Sequence, residues 1–436
     1  MKIVEMRVTP VAMADPPLLS AYGLHAPYAL RTVVELVSED GLTGAAETHG
    51  GARTLAHVAG ARPAVIGRDA YDLARLSTAL DRRFAAPPSP TGAAATQTFI
   101  LPGENSADIA PRVFGALEVA ALDLIGKATG VPVCDLLGGR VRDEVPFSAY
   151  LFYKRAGGGG EGDDARPDRW GAALDPAAIV DQARRMIAAD GFGSVKLKGG
   201  VFPPEQEIAA IRALRDALGP DVPLRIDPNA AWTVATAVRV GEALTGSLEY
   251  LEDPTPGLAG MAEVRRRLLE AGVETPLASN NAVTGFADVP PAIAADGVQV
   301  ILADHHYWGG LRAITHLGQL CRAFGVGLSM HSNSHLGLSL LAMVHLAAAT
   351  PHLTYAGDSH YPWQDAADEI LAGGRLRFEG GAVRVPTAPG LGAALDRDAL
   401  ARGRERYERC GYRRRDDEAE MRRHVDPAWR RVVPRW

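Results

Sequence analysis

Four short runs decide the fold: SVKLK (194–198), LRID (224–227), EYLE (249–252) and PLASN (276–280). Each is apolar at its heart, too short for a helix, and closes on a polar side chain. Amphipathic helical stretches such as 205–218 and 233–244 lie between them. The closing residues Asp227, Glu252 and Asn280 are spaced by 25 and 28 residues, about one β–α unit each. Working outward, similar runs stand at 147–152, 298–303, 326–330 and 353–356. Eight alternations in about 230 residues predict a (β/α)8-type barrel. A doubly wound sheet also alternates, but the Gly-rich nucleotide fingerprint after its first strand is missing.

Ahead of the barrel the pattern changes. Val4, Met6 and Val8 alternate, and 31–37 leads through Glu39-Asp40-Gly41 into a second β-like run at 42–48, a hairpin signature. From about Leu55 the chain turns Ala- and Leu-rich, and 118–127 has helical spacing before Gly130. An N-terminal α+β domain ending near residue 130 is expected. The glycines at 157–160 run into EGDDARPDR and predict a mobile surface insertion rather than a phosphate cradle.

Composition narrows the function. A 47% apolar share over 436 residues supports a proper core, and the net charge of −6 argues against nucleic-acid and anionic-membrane partners. The three cysteines, Cys134, Cys321 and Cys410, are far apart and lack CxxC spacing, which predicts neither disulfides nor structural zinc and suits a reducing cytoplasm. The first ten residues carry charges where a signal peptide needs an apolar run. The most apolar stretch, 338–349, is too short to span a bilayer. A homo-oligomer is expected.

In a barrel, Asp227, Glu252 and Asn280 sit side by side at the C-terminal mouth of neighbouring strands. Carboxylate and amide oxygens suit a hard cation such as Mg²⁺; taken singly, each residue could instead cap the next helix. Lys196 and Lys198 point to the same side of their strand, and their mutual repulsion predicts a depressed pKa for at least one, as a general base requires. Asp304 after VILA and His331 after GLSM predict a carboxylate that fixes an imidazole tautomer. The neighbouring His305 and His306 are expected to diverge at a strand end. Lys198 on the second strand and His331 on the seventh would face each other across the mouth. Two opposed bases over one divalent cation suit removal of a proton α to a carboxylate, with the cation stabilising the enediolate.

With those residues in place, the chain resembles the enolase superfamily, whose Lys or His bases work with Mg²⁺, and within it the glucarate dehydratase family. KLK, DPNAAW, YLEDP, ADHHYWGGL and MHSNSHLG stand in order, and GLHAPYALR, QTF, SAYLF, GDSHYPWQ and RRRDD extend the likeness to both ends. The resemblance implies a modified (β/α)7β TIM barrel at 131–370 under an N-terminal α+β capping domain at 1–130, completed by 371–436. It implies that Asp227, Glu252 and Asn280 hold Mg²⁺, that Lys198 and His331 are the bases, and that Asp304 orients His331. Lys196 and Asn229 would meet the substrate carboxylate and hydroxyls. His25, Thr98, Tyr150, Ser332, Asn333, His360 and Arg415 would contact the rest of an acid-sugar dicarboxylate. The implied reaction is dehydration of D-glucarate and L-idarate to 5-dehydro-4-deoxy-D-glucarate; the alternatives are dehydration or epimerisation of another acid sugar, or a weak dicarboxylate-binding homologue. Ala230 stands where the family often has Gly, Asn281 follows the ligand Asn280, and the Gly-rich loop departs from the family pattern.

Overall fold

The computed structural model describes residues 1–85 and 109–436. At the N-terminus, β1 (Ile3–Ala14) is followed by two short strands, β2 (Leu19–Ser20) and β3 (Gly23–Leu24), then β4 (Tyr28–Ser38) and β5 (Thr43–His49). β1, β4 and β5 form an antiparallel sheet in that order, and the β4–β5 hairpin turns at Gly41, whose φ of 80° is left-handed. Helix Ile109–Thr129 packs against this sheet with nearly every central residue buried. Two acids on that helix tie the sheet to the rest of the chain. Asp123 accepts from the backbone of Ala45 and of Leu391, both at 2.8 Å. Glu118 accepts from Leu311 N at 2.5 Å and Arg312 Nε at 2.7 Å, at the start of helix Leu311–Phe324.

After the short strand β6 (Glu144–Pro146), seven parallel strands follow: β7 (Ala149–Phe152), β8 (Val195–Lys198), β9 (Leu224–Asp227), β10 (Tyr250–Glu252), β11 (Leu277–Ser279), β12 (Val300–Ala303) and β13 (Gly327–Met330). They pair strictly in sequence order, and each is followed by a helix. Nearly every residue in them is buried, because helices cover the outer face and side chains fill the interior. The eighth position makes bridges instead of a full strand: Leu353 pairs with Leu328 of β13, and Gly357 with Phe147 beside β7. The barrel therefore closes as seven β–α units and a strand-like eighth segment, the modified TIM barrel.

The C-terminal part touches both halves. β14 (Ala382–Arg384) pairs with β6, helix Arg397–Arg409 packs on β1, and helix Asp417–His424 packs on β3. The Gly-rich segment departs from the expected free insertion. Gly160 N donates to Pro27 O at 2.8 Å, Arg166 pairs with Asp368 at 2.6 Å, and Arg406 and Arg409 hold Asp164 at 3.1 and 2.7 Å. A Cβ on Gly159 would lie 2.3 Å from the carbonyl oxygen of Asp15. The glycines permit a strap to lie flat on the β1–β4 connection. No helix among the described residues is long and apolar enough to cross a membrane.

Candidate active site

Parallel register sets the floor of the site. Lys198 is the ladder partner of Asp227, and Glu252 is that of Ala278, which brings the strand ends level. Carboxylate oxygens of Asp227, Glu252 and Asp253 lie within 4.8 Å of one another, all buried. The Asp227 Oδ1 accepts from Asn229 N at 2.9 Å, while the next helix is capped by Thr233; Asp227 is therefore no helix cap. Burial and the adjacent Asp227 charge raise Glu252 well above the usual carboxylate range, and push Asp253 up to about 7. Asp227 stays low: burial opposes its charge, but Lys198 and Lys196 prevail.

The two lysines do not behave as a repelling pair. Lys198 Nζ lies 2.5 Å from Asp227 Oδ2. Lys196 Nζ lies 2.5 Å from both Glu252 Oε2 and Asp358 Oδ2, and 4.8 Å from the Tyr150 ring centroid. Burial would lower the Lys196 pKa, but Asp358 and Glu252 outweigh it and the ammonium is held well above its ordinary value. The expected depression therefore fails for Lys196, because a carboxylate cage surrounds it. Asp358, from the segment after the eighth barrel position, is a residue that strand-end reasoning missed.

Opposite Lys198, the His331 Nδ1 lies 3.0 Å from Asp304 Oδ2. Burial opposes the Asp304 charge, yet His306 and His331 hold its carboxyl well below the usual range. His305 and His306 do not diverge. Both fall in the turn after β12, and their ring centroids are 3.8 Å apart.

A cavity opens above this floor. Every expected substrate contact among the described residues lines it except Lys196, which is wholly buried beneath. Thr98 lies outside the described residues. Ser20, Tyr22, Phe152 and Asn281 also line the cavity; the first two arrive on the β2–β3 hairpin, which carries no strand-end signal. The far wall is braced by acids. His25 Nδ1 lies 2.9 Å from Asp15 Oδ2, and Arg415 donates through Nε and Nη2 to Asp417 at 2.6 and 2.5 Å. Asn333 Nδ2 lies 3.2 Å from both His49 Nε2 and the Tyr307 hydroxyl, and His360 Nδ1 lies 3.2 Å from Ser332 Oγ.

The profile of the enolase C-terminal domain-like family matches residues 178–399. A Streptomyces coelicolor protein named probable glucarate dehydratase is 49% identical over 100% of this chain and 99% of its own length. The chain belongs to the enolase superfamily. Solved structures of superfamily members agree throughout: a Thermobispora bispora enolase complexed with magnesium and formate is 53% identical with a TM-score of 0.91, each chain fully covered. A Pseudomonas fluorescens enolase with magnesium, potassium and tartrate is 47% identical, TM-score 0.91, over 100% of this chain and 99% of its own.

The floor of this superfamily member suits a hard divalent cation. Its donors are oxygens, buried and crowded enough to raise Glu252 well above its ordinary pKa. The Asn280 side-chain amide lies between the Glu252 and Asp253 carboxylates and the His331 ring. With its nitrogen turned to the acids it donates to Glu252 at 3.2 Å and Asp253 at 2.7 Å, which leaves its oxygen 3.1 Å from His331 Nε2. Asp253 has donors of its own, Ser279 Oγ at 2.5 Å and the Asn280 and Asn281 amides at 2.9 and 3.1 Å, so it shapes the loop that carries Asn280. Nearby, the Tyr150 hydroxyl and Asn229 Oδ1 are buried without a hydrogen-bond partner among the described residues.

Proposed function

We propose that the chain is a Mg²⁺-dependent glucarate dehydratase, a hydro-lyase converting D-glucarate and its epimer L-idarate to 5-dehydro-4-deoxy-D-glucarate. The observation that carries this reading is the convergence of two bases, Lys198 and the Asp304-backed His331, on one cavity walled by Arg415, His25 and His360. Support also comes from the name of the 49% identical relative and from the tartrate, a hydroxylated dicarboxylate, bound in the Pseudomonas fluorescens structure.

In this reading His331 Nε2 takes the proton from the carbon next to one carboxylate of D-glucarate, then returns it to the hydroxyl leaving the adjacent carbon. Water departs, and the resulting enol tautomerises to a 2-keto acid. Lys198 takes the corresponding proton of L-idarate from the other face. Mg²⁺ held by Asp227, Glu252 and Asn280 would neutralise the charge that builds on the carboxylate as the proton leaves. The Tyr150 hydroxyl and Asn229 Oδ1 find partners in the substrate hydroxyls, while Arg415 meets the far carboxylate. Lys196, locked between Glu252 and Asp358, steadies the floor from below.

The test is a panel of acid sugars incubated with the protein and Mg²⁺ and assayed for 2-keto acid. Product from D-glucarate and L-idarate is expected. Turnover confined to a different acid sugar, or none across the panel, would overturn this reading.

A further inference from the structure

The polar chain behind His331 does not stop at Asp304. While Oδ2 of that carboxylate faces His331 Nδ1, its Oδ1 faces a second imidazole, His306 Nδ1, at 2.7 Å and also accepts the His306 backbone N–H at 2.9 Å. The far nitrogen of His306, Nε2, lies 3.2 Å from Arg31 Nη2 and 2.9 Å from Ser339 Oγ. Arg31 comes from β4, is 1% exposed, and is held by Glu47 at 3.1 Å. A guanidinium has donors and no acceptor, so the ring nitrogen it faces must accept. The proton of His306 then sits on Nδ1 and is donated to Asp304.

We infer that His306 is a positioning residue for His331: Arg31 fixes its tautomer, and its N–H holds the Asp304 carboxylate in the plane that orients the base. The consequence runs along the chain of contacts. With Oδ1 occupied by His306, Asp304 has Oδ2 left for the Nδ1–H of His331, and the lone pair of His331 falls on Nε2, the atom facing the cavity. The rings of His305 and His306, 3.8 Å apart, limit rotation of the relay. A residue of the N-terminal sheet thus helps set the geometry of a base at the barrel mouth. Lys198 stands outside this relay and pairs with Asp227. Loss of His306 should therefore be felt on one side of the substrate only.

The inference rests on the two-base reading of the site, and the experiment separates the two. Solvent exchange of the α-proton is followed by proton NMR in D₂O with Mg²⁺, for D-glucarate and L-idarate separately, with His331→Asn and Lys198→Met as references. His306→Leu should slow the His331-dependent exchange of D-glucarate by about 10–100-fold and leave the Lys198-dependent exchange of L-idarate within about twofold. His306→Asn, whose amide can donate to Asp304, should recover most of the loss. Equal losses for both epimers, or none, would overturn the inference. If the unaltered protein exchanges neither epimer, the functional reading falls, and ¹⁵N-histidine spectra of the substrate-free protein then decide the relay. Nδ1–H tautomers for His306 and His331 support it, and an Nε2–H tautomer at His306 refutes it.

Discussion

Asp227, fully buried, and Arg415, half-buried, are charges serving the same cavity, yet they reach it by different routes. Asp227 is placed by the ladder of a four-residue strand, where pairing with Lys198 on β8 leaves no choice of position. Arg415 stands in a short connection between two C-terminal helices and is aimed by its ion pair with Asp417. The backbone of Asp417 is pressed against Gly23, where a Cβ would lie 2.3 Å from the Asp417 carbonyl oxygen. Floor residues are thus fixed by local barrel geometry, while wall residues depend on contacts between distant ends of the chain. The floor should carry the chemistry and the wall the choice of substrate, with each separable by substitution.

The strongest test of that separation is to remove the cation. Chelation should abolish turnover and Mg²⁺ should restore it. Glu252→Gln removes a charge from the floor and should lower kcat/KM on the order of a thousandfold, about 4 kcal/mol. Thermal unfolding gives a second readout: Mg²⁺ should raise the Tm of the unaltered protein and of Arg415→Ala, but much less that of Glu252→Gln. Full turnover in excess chelator would end the metal assignment.

A smaller effect is expected at the wall. In the proposed complex Arg415→Ala would leave the far carboxylate without its charged partner and should cost about 2–5 kcal/mol in kcat/KM for a six-carbon dicarboxylate. A shorter hydroxy acid, which does not reach Arg415, should lose far less. Equal losses on long and short acids would make Arg415 a structural residue and dissolve the distinction between floor and wall.

The strap offers a gentler probe of the same distinction. Gly159 has a φ of 85°, and a methyl group there would press on Asp15, whose carboxylate holds His25. Gly159→Ala should raise KM for the six-carbon acid by about tenfold, roughly 1.4 kcal/mol, with the Mg²⁺ response unchanged. A loss of the Mg²⁺ response instead would show that the strap supports the floor as well.

What was readable in the sequence follows the same division. The strands and the residues closing them were legible because one apolar run per β–α unit imposes a spacing on Asp227, Glu252 and Asn280. The state of Lys196 was not, since Asp358, which cages it, is 162 residues away and follows no strand-end pattern. The close approach of the His305 and His306 rings was hidden by a turn that replaces the strand at Asp304. The Gly-rich segment read as a free loop because its partners, Asp15, Pro27 and Asp368, lie far away in the sequence. Polar composition alone does not distinguish a strap from an excursion into solvent.

One departure from the family pattern, Ala230 in DPNAAW, gains a physical meaning and the smallest expected effect. Its φ is 61° and that of Asn229 is 47°, so two successive residues sit in the left-handed region, where Gly is most at ease. Ala there carries strain of about 1–2 kcal/mol. Ala230→Gly would relieve it, but the unfolded chain would gain freedom at a cost of about 0.5–1 kcal/mol, and a buried methyl group worth about 0.8 kcal/mol would be lost. These contributions nearly cancel. The backbone itself is pinned by Ala230 N donating to Asp253 O at 2.6 Å, a bond that either residue can make. Ala230→Gly should therefore change stability by less than about 1 kcal/mol and leave turnover within about twofold, measured by denaturant unfolding and steady-state kinetics. A loss of 2 kcal/mol or more would show that the Ala230 methyl group packs as part of the floor, and that the departure from Gly tightened the loop carrying Asn229.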